Sequence, residues 1–206
     1  AYAEHHLYKD NQDQLLNIME ECKKAGNEDM VYQFASTSKM SMAGSGISAV
    51  AASKNNIESL LKLMNAQMIS FDKVNQLRHV RFFKDVNGLR EHMMKQADIL
   101  RPKFEMLLNL FEKELKGCGA GSWTTPKGGY FITYFTEDGC AKRVIELCKN
   151  AGMVMTGAGA PFPYKKDPKD NTIRIAPSLP PIEELEVAGA LFVVCVKLAT
   201  VEKLLG

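Results

Sequence analysis

Two short runs of this 206-residue chain hold the side chains best suited to chemistry. In the first, Ser36-Thr37-Ser38-Lys39 leads into Met40-Ser41-Met42-Ala43-Gly44-Ser45-Gly46. A lysine amine among hydroxyls and beside a glycine-rich loop can condense with a carbonyl to form a Schiff base, while the hydroxyls and exposed N–H groups hold a phosphate. The same residues also suit a solvated lysine in a polar loop, and so short a motif does not separate the two. The second run is Thr172-Ile173-Arg174-Ile175-Ala176, an arginine between isoleucines in a strand-length segment. Strand geometry turns Arg174 opposite to both neighbours. In a cleft, its planar fork would take a carboxylate through paired hydrogen bonds. On a sheet edge, it would serve a surface ion pair.

Other reactive side chains lack such a setting. Cys22, Cys118, Cys140, Cys148 and Cys195 form no CxxC pair, and five cysteines in a chain this long indicate reduced thiols rather than a disulfide framework. His5 and His6 adjoin each other without a partner at metal-ligand spacing, and His79 and His92 fall in helical segments. Structural roles are expected for all four. The methionines, Met40 and Met42 among them, are expected to fill the core.

The elements that must position Lys39 and Arg174 are legible from periodicity. Residues 14–26 read as a helix capped by Asn11 or Asp13 and closed by Gly26. The apolar run 30–34 then has strand length and feeds the turn carrying Lys39. A helix and then a strand ending in a small polar loop is the pattern of a parallel α/β sheet, whose ligands gather at strand carboxyl ends. Helices are expected over 50–68, 74–83 and 87–115, with Pro102 kinking the last or marking a domain junction. Beyond Lys116, strands are expected at 122–125, 130–135, 154–156 and 172–177. Helices are expected over 140–150 and from Pro181 onward, with a long Gly/Pro/Asp-rich loop at 157–171. These last elements make a compact α+β unit.

Composition narrows the class. With 46% hydrophobic and 24% charged residues, disorder and collagen-like repeats are excluded. A net charge of +2 offers no field for polyanions, so nucleic acid is not an expected partner. The longest apolar run, 187–199, is interrupted by Lys197 and falls short of the roughly 18 residues that cross a bilayer. No membrane partner and a cytoplasmic location are expected.

Six blocks in order resemble a known family: AYAEHHL at 1–7, STSKMSMAGSGIS at 36–48, KVNQLRHVRFF at 73–83, PKGGYFI at 126–132, GAPFPY at 159–164 and NTIRIAPSLPP at 171–181. Together they resemble the fold-type I pyridoxal-phosphate enzymes of the class I/II aminotransferases. More narrowly, they resemble the bacterial aspartate aminotransferase subgroup with its MocR-like aminotransferase domain. The resemblance implies an α/β fold: the C-terminal part of a large cofactor domain over residues 1–100, including the start of a bridging helix, and a small α+β domain over 101–206.

It also implies roles. Lys39 would hold pyridoxal 5′-phosphate through its amine and then move a proton between substrate Cα and the cofactor. Tyr2 matches the tyrosine that bonds the cofactor's phenolic oxygen, Ser36 and Ser38 match hydroxyls near its phosphate, and Arg174 matches the clamp on the substrate α-carboxylate. The implied reaction is amino-group transfer between an amino acid and a 2-oxo acid, aspartate and 2-oxoglutarate in this subgroup, by a homodimer. No metal is implied.

Two departures stand out. Where most members carry a phosphate-anchoring arginine, position 47 is Ile, and the loop amides of Gly44, Ser45 and Gly46 are the expected replacement. The aspartate that pairs with the cofactor's ring nitrogen falls ahead of Ala1, so this chain is expected to be the C-terminal half of a longer enzyme and inactive by itself. A cofactor-binding effector domain of a transcription regulator, or a lyase or decarboxylase on the same fold, is the alternative.

Overall fold

The computed structural model describes residues 4–206, so Tyr2 lies outside the described residues. The chain forms two compact units, Ala1–Gln96 and Ala97–Gly206.

In the first unit, Asn17 caps α1 (Ile18–Lys24) by accepting the Glu20 N–H on its side chain. The helix therefore starts later than residue 14, because the cap is Asn17 and neither Asn11 nor Asp13; Leu15 and Leu16 precede it and are exposed. Gly26, at φ +68°, supplies the expected left-handed stop. β1 (Tyr32–Ser36) pairs antiparallel with β2 (Ser48–Ala52), placing Phe34 opposite Val50.

This pairing corrects two expectations. Val50 lies in a strand and not at the start of a helix, and the partner of β1 among the described residues runs antiparallel. The 37–47 connection is too short to carry the crossover that a parallel return requires. α2 (Lys54–Gln67) begins instead at Ser53, whose Oγ accepts the Asn56 N–H at 3.3 Å and donates to Asp29. Asp72 caps α3 (Lys73–Phe83) in the same manner, accepting the Asn75 N–H at 2.9 Å.

A tight turn joins α3 to α4 (Val86–Glu114). Lys84 sits at φ +65°, and Asp85 Oδ1 accepts the N–H groups of Asn87 and Gly88 at 2.8 and 2.9 Å. A Cβ on Gly88 would meet the Phe83 carbonyl oxygen at 1.9 Å, so only glycine fits there. α4 continues through Pro102 without ending, and the division between the units falls within it.

The second unit is built on a three-stranded antiparallel sheet in the order β3 (Ser122–Trp123), β4 (Ile132–Phe135), β5 (Thr172–Ile175). Ile132 faces Ile175 and Thr133 faces Arg174. Residues 154–156 are not a strand, since they pair with no neighbouring strand among the described residues. α5 (Ala141–Asn150) and α6 (Ile182–Leu205) are tied together by Arg143, whose Nε and Nη2 donate to the two Glu202 oxygens at 2.7 and 2.9 Å.

The core of this unit is aromatic. Phe111 of α4, Tyr134 of β4 and Phe192 of α6 lie with ring centroids 5.2–5.6 Å apart, and Trp123 stacks on Tyr134. The Tyr134 hydroxyl donates to the Ala120 carbonyl at 3.0 Å, so the buried phenol is satisfied, and burial pushes its pKa up. Mixed helix and strand in this arrangement agree with the α/β class. Among the described residues, no helix is long and apolar enough to cross a membrane.

Candidate active site

Lys39 lies in the turn that follows β1, exposed beside the half-buried Ser36. The turn closes on Thr37, whose carbonyl accepts the N–H groups of Met40 and Ser41 at 2.8 and 2.9 Å. Ser36 Oγ accepts the Ser38 N–H at 3.1 Å, which keeps the two serines on one side of the turn. Met40 is buried beneath it, so the turn is anchored by an apolar side chain as well as by hydrogen bonds.

The far side of the 37–47 connection closes against the near side. Thr37 N–H donates to Ile47 O at 2.8 Å, and the Ile47 N–H returns to Thr37 Oγ1 at 2.9 Å. A Cβ on Gly46 would stand 3.1 Å from Ser38 Cα, a backbone atom that cannot swing aside. Ser45 N–H is spent on Met42 O at 3.1 Å, so of the three loop amides expected to replace the missing arginine, this one is committed within the loop.

Ser36, Ser38 and Lys39 share a cleft of about 940 Å³ with Gly46, Ile47 and Asn75, floored by Phe34, Leu60, Met64 and Phe71. The Asn75 amide nitrogen donates to Ser45 O at 2.9 Å, while its oxygen is buried and has no hydrogen-bond partner. Two serine hydroxyls and a lysine amine beside an apolar floor form a donor set that fits an aromatic ligand with anionic and carbonyl groups, and the orphaned Asn75 oxygen is available to a donor.

Arg174 belongs to the second unit. Ile173 and Ile175 are buried, and Arg174 faces the other side of β5, as strand alternation dictates. Its guanidinium carbon sits 4.6 Å from the centroid of the Phe131 ring. The Nε is buried with no hydrogen-bond partner, and the side chain borders a 360 Å³ cleft with Met155, Leu179 and Glu184. A half-buried guanidinium with an unused donor is better prepared for a carboxylate ligand than for a surface ion pair.

The structure thus brings Ser36, Ser38 and Lys39 together, shows Arg174 within its own unit, and does not describe Tyr2. Sequence reasoning misses Asn75 and His79 of α3. His79 is 4% exposed and reaches the Lys39 turn through Ser41 Oγ at 2.8 Å. The hints in the sequence are the helical spacing that puts Asn75 and His79 on one face and their place in the 73–83 block.

Comparison with known proteins adds a family. The model described as aspartate amino-transferase matches residues 1–206. The aspartate aminotransferase of Corynebacterium glutamicum is 42% identical over 202 residues, covering 98% of this chain and 46% of that protein. A crystal structure of an aspartate transaminase from the same species superposes with a TM-score of 0.94 at 42% identity, over 98% of this chain and 48% of that one. The α-aminoadipate aminotransferase of Thermus thermophilus, complexed with N-(5′-phosphopyridoxyl)-L-leucine, shares the fold, with a TM-score of 0.77 at 19% identity over 98% of this chain and 49% of that one. The chain spans about half the length of these relatives.

Proposed function

The chain belongs to the aspartate amino-transferase family, and on that premise we propose that it carries the cofactor lysine and the substrate-carboxylate arginine of a pyridoxal-phosphate-dependent aminotransferase. The observation that carries this reading is Lys39 on the turn after β1, sharing one cleft with Ser36, Ser38 and the unpartnered Asn75 oxygen.

Pyridoxal phosphate, when bound, supplies the electron sink that makes a substrate Cα proton removable. Lys39 Nζ would hold the group covalently, and its free amine would move the proton at substrate Cα. The Ser36 and Ser38 hydroxyls would donate to its phosphate. Tyr2 is assigned the bond to the phenolic oxygen, on the resemblance of its motif. Arg174 fixes the substrate α-carboxylate through its fork, so that the Cα–H bond is held in one orientation.

The substrates proposed are aspartate and 2-oxoglutarate, following the relatives named aspartate aminotransferase. Residues 1–100 are assigned to the large cofactor domain and 101–206 to the small domain. We assign the complete gene product to the cytoplasm and to a homodimer; the exposed Leu61, Leu63, Phe71, Val74 and Leu77 of the 57–83 helical stretch support the latter.

Incubation of the complete gene product with aspartate, 2-oxoglutarate and pyridoxal phosphate tests the reaction. Glutamate and oxaloacetate should form in equal amounts, Lys39→Ala should abolish turnover, and Arg174→Ala should raise KM for both acids. Ammonia, or carbon dioxide released without formation of glutamate, would overturn transamination in favour of elimination or decarboxylation.

A further inference from the structure

Lys39 has a long, flexible side chain, and its amine can act at one carbon only if the backbone beneath it is held still. A misplacement of 1 Å at a reacting group costs about 10²-fold in rate. What holds this backbone is one face of α3. Asn75 Nδ2 donates to Ser45 O at 2.9 Å, Arg78 Nη1 donates to Ser45 Oγ at 3.1 Å, and His79 Nε2 lies 2.8 Å from Ser41 Oγ and 3.3 Å from Thr37 Oγ1. Thr37 and Ser41 are the two ends of the turn that contains Lys39, so a single imidazole grips both.

The direction of this network follows from its ends. His79 Nδ1 is 2.9 Å from the Asn75 carbonyl oxygen, which can only accept, so Nδ1 carries a proton. In the tautomer with its proton on Nδ1, the imidazole leaves Nε2 to accept the Ser41 Oγ–H at 2.8 Å. Ser41 Oγ also lies within donating distance of Thr37 Oγ1 at 3.0 Å and of the Thr37 carbonyl oxygen at 3.1 Å, and Thr37 Oγ1 accepts the Ile47 N–H at 2.9 Å. Both hydroxyls are thus tied to the backbone of the turn as well as to the imidazole. His79 is almost fully buried within this network.

We propose that His79 is a positioning residue for the cofactor lysine. It touches no reacting atom; it acts through Ser41 and Thr37 to fix the turn from which Lys39 extends. This rests on the assignment of Lys39 as the cofactor lysine.

The test uses the complete gene product with His79→Asn, Ser41→Ala and His79→Gln. Asparagine keeps the donor to the Asn75 carbonyl but cannot reach Ser41, whereas a glutamine amide oxygen can take the Ser41 proton. Two quantities are read: amide hydrogen exchange of residues 37–47 without cofactor, and pyridoxal phosphate affinity together with the fraction trapped on Lys39 by borohydride. His79→Asn and Ser41→Ala should each speed exchange about tenfold and weaken cofactor binding about tenfold, the loss expected for one buried hydrogen bond. His79→Gln should stay within about threefold of the parent on both.

Unchanged exchange in His79→Asn and Ser41→Ala overturns the inference. So does faster exchange with cofactor affinity and trapping unaltered. If the parent itself fails to trap pyridoxal phosphate on Lys39, the proposed function falls and the positioning role falls with it, even where exchange responds; Ser41→Ala keeps the test open should the histidine variants not fold.

Discussion

The carboxylate of Asp167 accepts the backbone N–H of Thr172 at 2.8 Å, two residues before Arg174 on β5. The same side chain takes the N–H groups of Lys169 and Asn171 at 3.0 and 2.9 Å. One ionised group thereby closes the end of the long 157–171 loop and sets where β5 begins.

This arrangement predicts a pH dependence. Burial alone would raise the Asp167 carboxyl, but the N–H groups of Thr172, Lys169 and Asn171 together hold it below the usual carboxylate range. A carboxylate depressed in the folded state adds stability above its unfolded value of about 3.9, and that stability is lost as pH falls through the folded value. Protection of 169–172 from hydrogen exchange, relative to the intrinsic rate at each pH, should therefore fall only below about pH 4. Asp167→Ala should open this segment at neutral pH, at a cost of about 2 kcal/mol.

Two glycines should respond in opposite ways. Gly88→Ala forces a methyl onto the Phe83 carbonyl and should cost about 3 kcal/mol, the upper end for an ordinary single substitution. Gly157 has no atom within 4 Å of a built Cβ and no left-handed φ. There alanine should be neutral or add about 0.5 kcal/mol by stiffening the unfolded chain. Chemical denaturation of both variants reads the contrast.

Cysteine reactivity should sort by burial. Cys118 is exposed, while Cys140, Cys148 and Cys195 are buried. Burial, together with neighbouring Cys195, pushes the Cys148 thiol up to about 12, which leaves almost no thiolate at pH 8. Brief alkylation at pH 8 followed by peptide mapping should label Cys118 in the native protein, and the three buried thiols only after denaturation.

Gly46→Ala should act on Lys39, the proposed cofactor lysine, from a distance in sequence. Its methyl would press on Ser38 Cα at 3.1 Å, next to Lys39. Pyridoxal phosphate affinity should fall about tenfold, roughly 1.4 kcal/mol, with the melting temperature little changed. A full loss of folding would instead make Gly46 a general packing residue.

Part of the fold is legible in the amino-acid sequence alone. α3 and α4 fall within a residue of their expected bounds, because Asp72 caps the first and periodicity runs undisturbed through the second. The turn after β1 and the strand around Arg174 are also readable from their short apolar runs. The start of α1 is not, since Asn11, Asp13 and Asn17 are all good caps and the side-chain types alone do not rank them. Nor is β2: the run Ser48–Ala52 is rich in alanine and becomes a strand through pairing with Phe34 and its neighbours. His79 stays hidden for a related reason. Its role depends on Ser41 and Thr37, about forty residues earlier, and no local pattern links them.

The most direct test of the central claim is borohydride reduction of the complete gene product in the presence of pyridoxal phosphate, followed by peptide mapping. The account predicts a visible absorption band that reduction removes and a phosphopyridoxyl label confined to Lys39. A label spread over many lysines, or concentrated on another one, would contradict it.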